Sequence, residues 1–302
     1  MKAVVLHEFG KPSQLKWEDM PDPKPGPGEV LIRVQAASIN PIDYKMRSGA
    51  AQERFPITFP AILGRDCAGV IRELGEGVSG FAVGDRVFAL AWATYAELVV
   101  VKAEIMAKIP DGLDITTAAA IPLVSVTGDQ LIRDAAKATE GQSIVLTGAT
   151  GSVGRIAQFC ANELGIKVIA GVRKNQIDEA MALGAGAGLD LSDTDSFAQL
   201  GAVDAVADTI DGEIATRLIA KVKPGGNFGS VVGPPKNAAF HPTVHVNAIM
   251  AHPDPKTYVH YAEAIRDGRL KLPIERVMPM ADAATAHAMA EKGGVGKIIL
   301  TA

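Results

Sequence analysis

Short runs rich in valine and isoleucine, separated by glycine- and proline-bearing clusters, fill the first third of the chain. Residues 3–6, 30–35, 68–74, 86–89 and 95–101 carry the branched side chains that suit a pleated surface, and the pattern predicts a strand at each. Between them, PDPKPGPGE (21–29), GEGVSG (75–80) and VGD (83–85) supply the turns. So many short, punctuated strands predict a small β-rich domain of barrel-like or sandwich form. Near residue 115 the period lengthens. Residues 116–121 and 124–138 read as helical, and from Gln142 apolar strands alternate with helices. Strands are predicted at 143–147, 167–170, 203–207 and 227–232, with helices over 153–164, 176–183 and 212–222. Strands this apolar, separated by helices, describe a parallel sheet covered on both faces. Residues 272–279, 281–291 and 296–300 return to mixed β and α character.

Composition narrows the function classes. The 302 residues are 48% hydrophobic and 21% charged, a globular balance long enough for two domains. Thirty Lys and Arg against 34 Asp and Glu give a net charge of −4, which argues against a nucleic-acid partner. Two cysteines, Cys67 and Cys160, cannot build a disulfide framework or a four-cysteine zinc lobe. The opening MKAVVLHEFG does not read as a signal peptide, and no apolar run approaches the ~20 residues that span a bilayer. The expectation is a soluble cytoplasmic protein with no membrane partner.

The sharpest chemical signal is SIVLTGATGSVG (143–154), a buried-strand pattern entering Gly148-x-x-Gly151-x-x-Gly154 and then a helix. The glycines let the strand turn sharply and bring bare backbone close to a pyrophosphate, with the Ser152 and Val153 amides facing it. The next strand selects the cofactor. An NAD site wants an acid at its end, about 20 residues beyond the glycines, for the ribose 2′-hydroxyl. This strand instead runs into Gly171-Val172-Arg173-Lys174, and the next carboxylate is Asp178. Arg173 can fork onto a 2′-phosphate and Lys174 can add charge, so the expected cofactor is NADPH.

With those residues in view, the chain resembles the medium-chain dehydrogenase/reductase superfamily, in its zinc-independent, quinone oxidoreductase-like branch. The resemblance is carried by PGPGEVLIRVQAASINPIDYKMRSG (25–49), LGRDCAGVIRELGEGVSGFAVGDRVFA (63–89), AAAIPLVSVTG (118–128), TGATGSVG (147–154), KPGGNFGSVVG (223–233) and the closing stretch 268–300. It implies an α/β fold: a doubly wound Rossmann sheet over 123–267, inside a GroES-like catalytic domain formed by 1–122 and 268–302. It places the active site in the cleft between them. Zinc-dependent relatives carry a cysteine where Asn40 stands, a histidine where Arg65 stands and a third ligand near Leu123, so no metal is expected. Many relatives carry a tyrosine near the adenosine phosphate where this chain has Leu191. The resemblance also brings Thr127 to the nicotinamide ribose and adds Val232 and Gly233 to the cofactor contacts.

Without a metal, other groups must stabilise the oxygen that becomes negative on hydride transfer. The stretch Asn40–Arg47 resembles the nicotinamide-facing segment of the family. Asn40 is the candidate amide donor, Lys45 the candidate charge, and Tyr44 or Tyr95 the candidate phenol. Asp43 reads equally as a loop anchor with Arg47 as its partner, and the tyrosines as packing residues with wet tips. Cys67 reads as a small packing residue. His241 and His245 flank Pro242, and the alternation over 243–248 predicts an edge or subunit-contact strand there. His252, His260 and His287 read as surface or capping residues. The expected activity is NADPH-dependent reduction of a quinone or an α,β-unsaturated carbonyl compound by a homodimer paired through residues 243–250. An enoyl-thioester reductase and a non-catalytic NADPH sensor are the alternatives.

Overall fold

The computed structural model describes residues 1–293 and 296–302; Gly294 and Val295, inside the closing motif, lie outside the described residues. The chain opens with β1 (Lys2–Leu6), β2 (Leu15–Asp19), β3 (Glu29–Ser38), α1 (Pro41–Ser48), β4 (Ala61–Ile62), β5 (Asp66–Leu74), β6 (Arg86–Leu90), β7 (Leu98–Lys102), β8 (Met106–Lys108) and α2 (Ile115–Ala119). An alternating region follows: α3 (Pro122–Gln130), β9 (Ser143–Thr147), α4 (Ser152–Glu163), β10 (Lys167–Val172), α5 (Ile177–Ala182), β11 (Ala187–Asp190), α6 (Thr194–Gln199), β12 (Val203–Asp208), α7 (Gly212–Ile219), β13 (Val222–Ser230) and β14 (His245–Ala248). The chain closes with α8 (Pro255–Arg266), β15 (Ile274–Pro279), α9 (Ala283–Lys292) and β16 (Lys297–Thr301).

Two compact units result, Met1–Leu123 with Pro253–Ala302, and Val124–His252. In the first, a sheet runs β15-β16-β3-β5-β6-β8, with β7 pairing on β3, and β2-β1-β4 form a smaller sheet. Its core gathers alternate positions of β3 (Val30, Ile32, Val34) with Val87, Val99 and Leu300, the residues whose period of two sends them to one face. The α8 helix belongs to this unit, where Tyr258 packs against Phe88 at 5.8 Å between ring centroids. In the second unit six parallel strands run β11-β10-β9-β12-β13-β14. The three central ones are buried along nearly their whole length, which the Val/Ile/Ala-rich runs require.

Several elements depart from the sequence expectation. The stretch after Asn40 is a helix, started by Asn40 with Pro41 in its first turn and ended by Gly49 at φ 83°. The single helix expected over 124–138 runs as the α-helix α3 to Gln130 and then widens into a π-helical turn at Leu131–Ala136, ended by Lys137 at φ 50°. The helix expected over 212–222 stops at Ile219, and Val222 already opens β13. Two further helices went unforeseen. Both α6 and α8 start at an aspartate whose carboxylate accepts first-turn amides, Asp193 and Asp254, and Pro255 follows the second; this capping pattern was readable.

Candidate functional sites

The strand order of the second unit reverses between β9 and β12: the chain builds outward through β10 and β11, then returns to β12, β13 and β14. In such sheets a ligand binds beyond the carboxyl ends of the strands at the reversal. Gly148 sits there at φ 63°, and a Cβ on it would lie 2.6 Å from Thr209 Oγ1. Gly151 begins α4 as its N-cap, its amide donating 2.9 Å to the Gly148 carbonyl. A Cβ on Gly154 would lie 2.1 Å from that same carbonyl, so helix and turn touch only because Gly154 has none. Ser152 and Val153 open the helix, and their amides fall in the turn that has no intrahelical acceptor. A bare-backbone cradle of this kind, facing a helix N-terminus, fits a dinucleotide pyrophosphate.

Of the other expected cofactor residues, Arg173 and Lys174 follow β10, Val232 and Gly233 follow β13, and Thr127 lies on α3. Gly148 N donates 2.8 Å to Gly171 O, tying the glycine turn to the end of β10; Arg173 and Lys174 follow, both exposed. Asp178 is in the first turn of α5, and Leu191 is buried, its amide bonded to Val172 O at 2.9 Å. Val232 and Gly233 turn past β13 with their amides 3.1 and 3.2 Å from Ser230 Oγ. Thr127 is half-buried on α3, where a Cβ on neighbouring Gly128 would sit 2.7 Å from Ile156, so α3 and α4 pack closely.

A buried carboxylate that sequence reasoning missed fixes this edge. Asp208, at the end of β12, accepts from Thr147 Oγ1 at 2.9 Å and from Ser230 Oγ at 3.2 Å, and also from the amides of Ile210 and Asp211. Thr147 in turn accepts from Thr209 N at 2.8 Å. The ends of β9, β12 and β13 are thereby tied at the point where the glycine turn leaves the sheet.

The first unit holds a second, denser polar cluster. Asn40 Nδ2 donates to Asp66 Oδ2 at 2.8 Å and Ser38 Oγ at 3.2 Å, while Asn40 Oδ1 accepts from Lys297 Nζ at 2.6 Å. Ser38 Oγ donates to Asp66 at 2.5 Å, and Leu123 N donates to its other oxygen at 2.7 Å. Lys297 Nζ stands 3.8 Å from Asp66, and burial pulls its ammonium below the usual lysine range against the pull of that acid. Asp43 Oδ2 accepts from Asn40 N at 2.8 Å and Tyr95 OH at 2.9 Å. Burial pushes the Asp43 carboxyl up to about 7, overriding those two hydrogen bonds. Arg65 donates from Nε to Ala91 O at 3.1 Å and lies 3.6 Å over the Trp92 ring; burial lowers its pKa while Asp43 and Asp66 hold it up.

This geometry revises several expectations. Both donor hydrogens of Asn40 and its carbonyl are engaged inside the protein, so the side chain positions Asp66 and Lys297 instead of offering a free amide. Lys45 points along the exposed face of α1, away from its buried residues Asp43, Met46 and Arg47. Tyr44 is half-buried, and burial raises its phenol, keeping it a neutral donor. Arg47 pairs not with Asp43 but with Glu291, at 2.8 Å, and with Gly10 O at 3.0 Å. Tyr95 has no wet tip; it is fully buried on Asp43. His287 is not a surface residue either. It lies in the core edge-on to Tyr95, and burial holds it neutral with a pKa of about 3. Cys67 is fully buried and its thiol is pushed up to about 12, which makes it inert packing.

The donor set does not suit a zinc ion. A guanidinium, an amide already bonded to an ammonium, and a leucine occupy the positions, and thiolate or imidazole ligands are missing from them. Among the described residues no group of three or more His, Cys, Asp or Glu side chains could hold a metal. Among them, too, no helix is long and apolar enough to cross a membrane.

Comparison with known proteins agrees with both units. Residues 26–111 match the alcohol dehydrogenase GroES-like domain, and residues 183–300 match the zinc-binding dehydrogenase family. The mouse synaptic vesicle membrane protein VAT-1 homolog-like is 37% identical over 163 residues, 53% of this chain and 39% of that protein. A quinone oxidoreductase of Lama guanicoe is 37% identical over 183 residues, 58% of this chain and 54% of its own length. The chain thus spans about half the length of these curated relatives, or less. The solved structure of the quinone oxidoreductase from Coxiella burnetii superposes with a TM-score of 0.90 at 28% identity, covering 100% of this chain and 99% of that one.

Proposed function

The chain belongs to the medium-chain dehydrogenase/reductase superfamily, in its quinone oxidoreductase-like branch, and from that premise we propose that it is an NADPH-dependent reductase of quinones or α,β-unsaturated carbonyl compounds. One observation carries the cofactor half of this reading: the glycine cradle at the strand-order reversal is followed, at the end of the adjacent strand, by Arg173 and Lys174 and not by an acid. Gly148, Gly151 and Gly154 admit the pyrophosphate, and the Ser152 and Val153 amides face its charge. Arg173 forks onto the 2′-phosphate. Thr127, Val232 and Gly233 complete the contacts toward the nicotinamide.

When bound, the reduced nicotinamide supplies a hydride, so that quinone, NADPH and one proton become quinol and NADP⁺. The acceptor is already electrophilic, and the protein's share is to orient it and to steady the oxygen that gains charge. Tyr44, whose phenol burial keeps neutral, is the candidate to donate to such an oxygen as a hydrogen-bonding group, not as a strong acid. Water supplies the final proton. We further propose that the protein is a homodimer joined through the exposed edge at β14.

The test is Arg173→Ala with calorimetric titration of both cofactors. A charged hydrogen bond contributes about 1.5–3 kcal/mol, so NADPH affinity should fall roughly 10- to 100-fold while NADH affinity stays within two-fold. Equal losses for both cofactors would remove Arg173 from the 2′-phosphate.

A further inference from the structure

Trp92 breaks the pattern of the surface around it. It is a large aromatic side chain left 51% exposed, at the end of β6, in the turn before β7. The turn holds it out: Ala93, next in sequence, has φ 58°, a left-handed conformation that a non-glycine residue adopts only under constraint. Phe55 lies tilted against the indole at 5.9 Å between centroids, and the Arg65 guanidinium lies over it at 3.6 Å.

Arg65 is the second anomaly. It is only 9% exposed, yet the hydrogen bond it makes among the described residues is the one from Nε to Ala91 O. Its terminal nitrogens have no protein acceptor there, and neither Asp43 nor Asp66 comes within ion-pair distance, although both act on its charge. The other buried cation of the cluster, Lys297, is committed to Asn40 and Asp66. A guanidinium stacked by its face on an aromatic ring keeps its in-plane N–H groups available to fork onto an oxygen. Unlike the enclosed Arg47 Nη1, these nitrogens keep contact with solvent and so with a ligand, and a fixed, pre-oriented cation is the group that stabilises a developing oxyanion.

We propose that Arg65 and Trp92 form the acceptor-recognition site: the indole, flanked by Phe55, is a shelf for a flat conjugated ring, and the Arg65 terminal nitrogens hold the carbonyl oxygen that becomes negative. The inference rests on the reductase reading and narrows it, from quinones or enones in general to planar ring quinones over short open-chain enals, which offer little face to stack. Asn40, Asp66 and Lys297 are positioning residues behind this pair.

The experiment compares wild type with Trp92→Ala, Trp92→Phe and Arg65→Lys, using 1,4-naphthoquinone and 2-pentenal as acceptors with NADPH. Calorimetric titration of 1,4-naphthoquinone without cofactor runs alongside. Trp92 is half exposed, so its variants fold even if the buried Arg65→Lys does not. For Trp92→Ala, the ratio of kcat/KM on naphthoquinone to that on 2-pentenal should fall about 10-fold, with Trp92→Phe recovering part of it. Naphthoquinone binding should weaken by a similar factor. Arg65→Lys should lower kcat on naphthoquinone at least 10-fold. An unchanged acceptor ratio and unchanged binding in Trp92→Ala would overturn the proposal even if NADPH is oxidised. Naphthoquinone binding that is lost in Trp92→Ala, with no NADPH oxidation by wild type, would uphold the shelf and refute the reductase reading. No naphthoquinone binding to wild type would overturn the site.

Discussion

Asp43 shows how one buried carboxyl couples fold to pH. Its pKa lies at about 7 in the folded protein against an ordinary 3.8, because burial penalises its charged form. Below pH 4 both folded and unfolded chains hold the proton and the group has no effect on stability. As pH rises from about 4 to about 7 the unfolded chain ionises and the folded one does not, so this residue lowers stability progressively and then levels off. Asp43→Asn keeps an oxygen to accept from Asn40 N and Tyr95 OH, and it removes the titration. The denaturant midpoint of wild type relative to Asp43→Asn should therefore fall between pH 5 and pH 7 and stay constant above about pH 8. A difference that is flat with pH would place the Asp43 carboxyl in its ordinary range. The sequence offered Asn40 as an amide donor, Tyr95 as a phenol and Asp43 as an anchor for Arg47, but not that Asp43 holds Asn40 and Tyr95. Partners such as Lys297 and Glu291 lie more than 240 positions away, and no local pattern links residues that only the sheet brings together.

Elements were more legible where their signal is local. The β9 strand, the glycine turn and the α4 helix could be read because a buried run, three glycines and an amphipathic stretch adjoin in sequence. The break of α3 into a π-helical turn could not, since nothing in the residues Leu131–Ala136 sets them apart from an ordinary helix. Gly154 permits a contact between a helix and a turn. Gly154→Ala forces a Cβ to 2.1 Å from Gly148 O, so the helix must move off the turn. The expected cost is about 1–3 kcal/mol of stability, as for other overpacked sites, together with at least a 10-fold loss of NADPH affinity. Gly201→Ala, where an added Cβ meets nothing within 4 Å, is the control and should change neither by thermal melting or titration. A Gly154→Ala protein that melts and binds like wild type would mean the turn is free to shift.

Across the full chain, the fold class and family were readable because many loose blocks recur in a fixed order; the first compact unit resumes at Pro253, where the resemblance implied residue 268. The α8 helix carries no motif, yet its Tyr258 is buried with Phe88 in the first unit. β14 pairs with β13 on one side, and His245 and Ala248 are exposed. An unprotected strand edge invites a second copy. His245→Glu with Ala248→Glu should convert a dimer to a monomer in sedimentation velocity, and an unchanged mass would move the contact elsewhere. The reductase reading stands or falls on NADPH and NADH consumption followed in parallel against 1,4-naphthoquinone without oxygen, with the quinol quantified. The expected result is one quinol per NADPH consumed and a strong preference for NADPH over NADH. Failure of the protein to bind NADPH, or equal use of both cofactors, would contradict it.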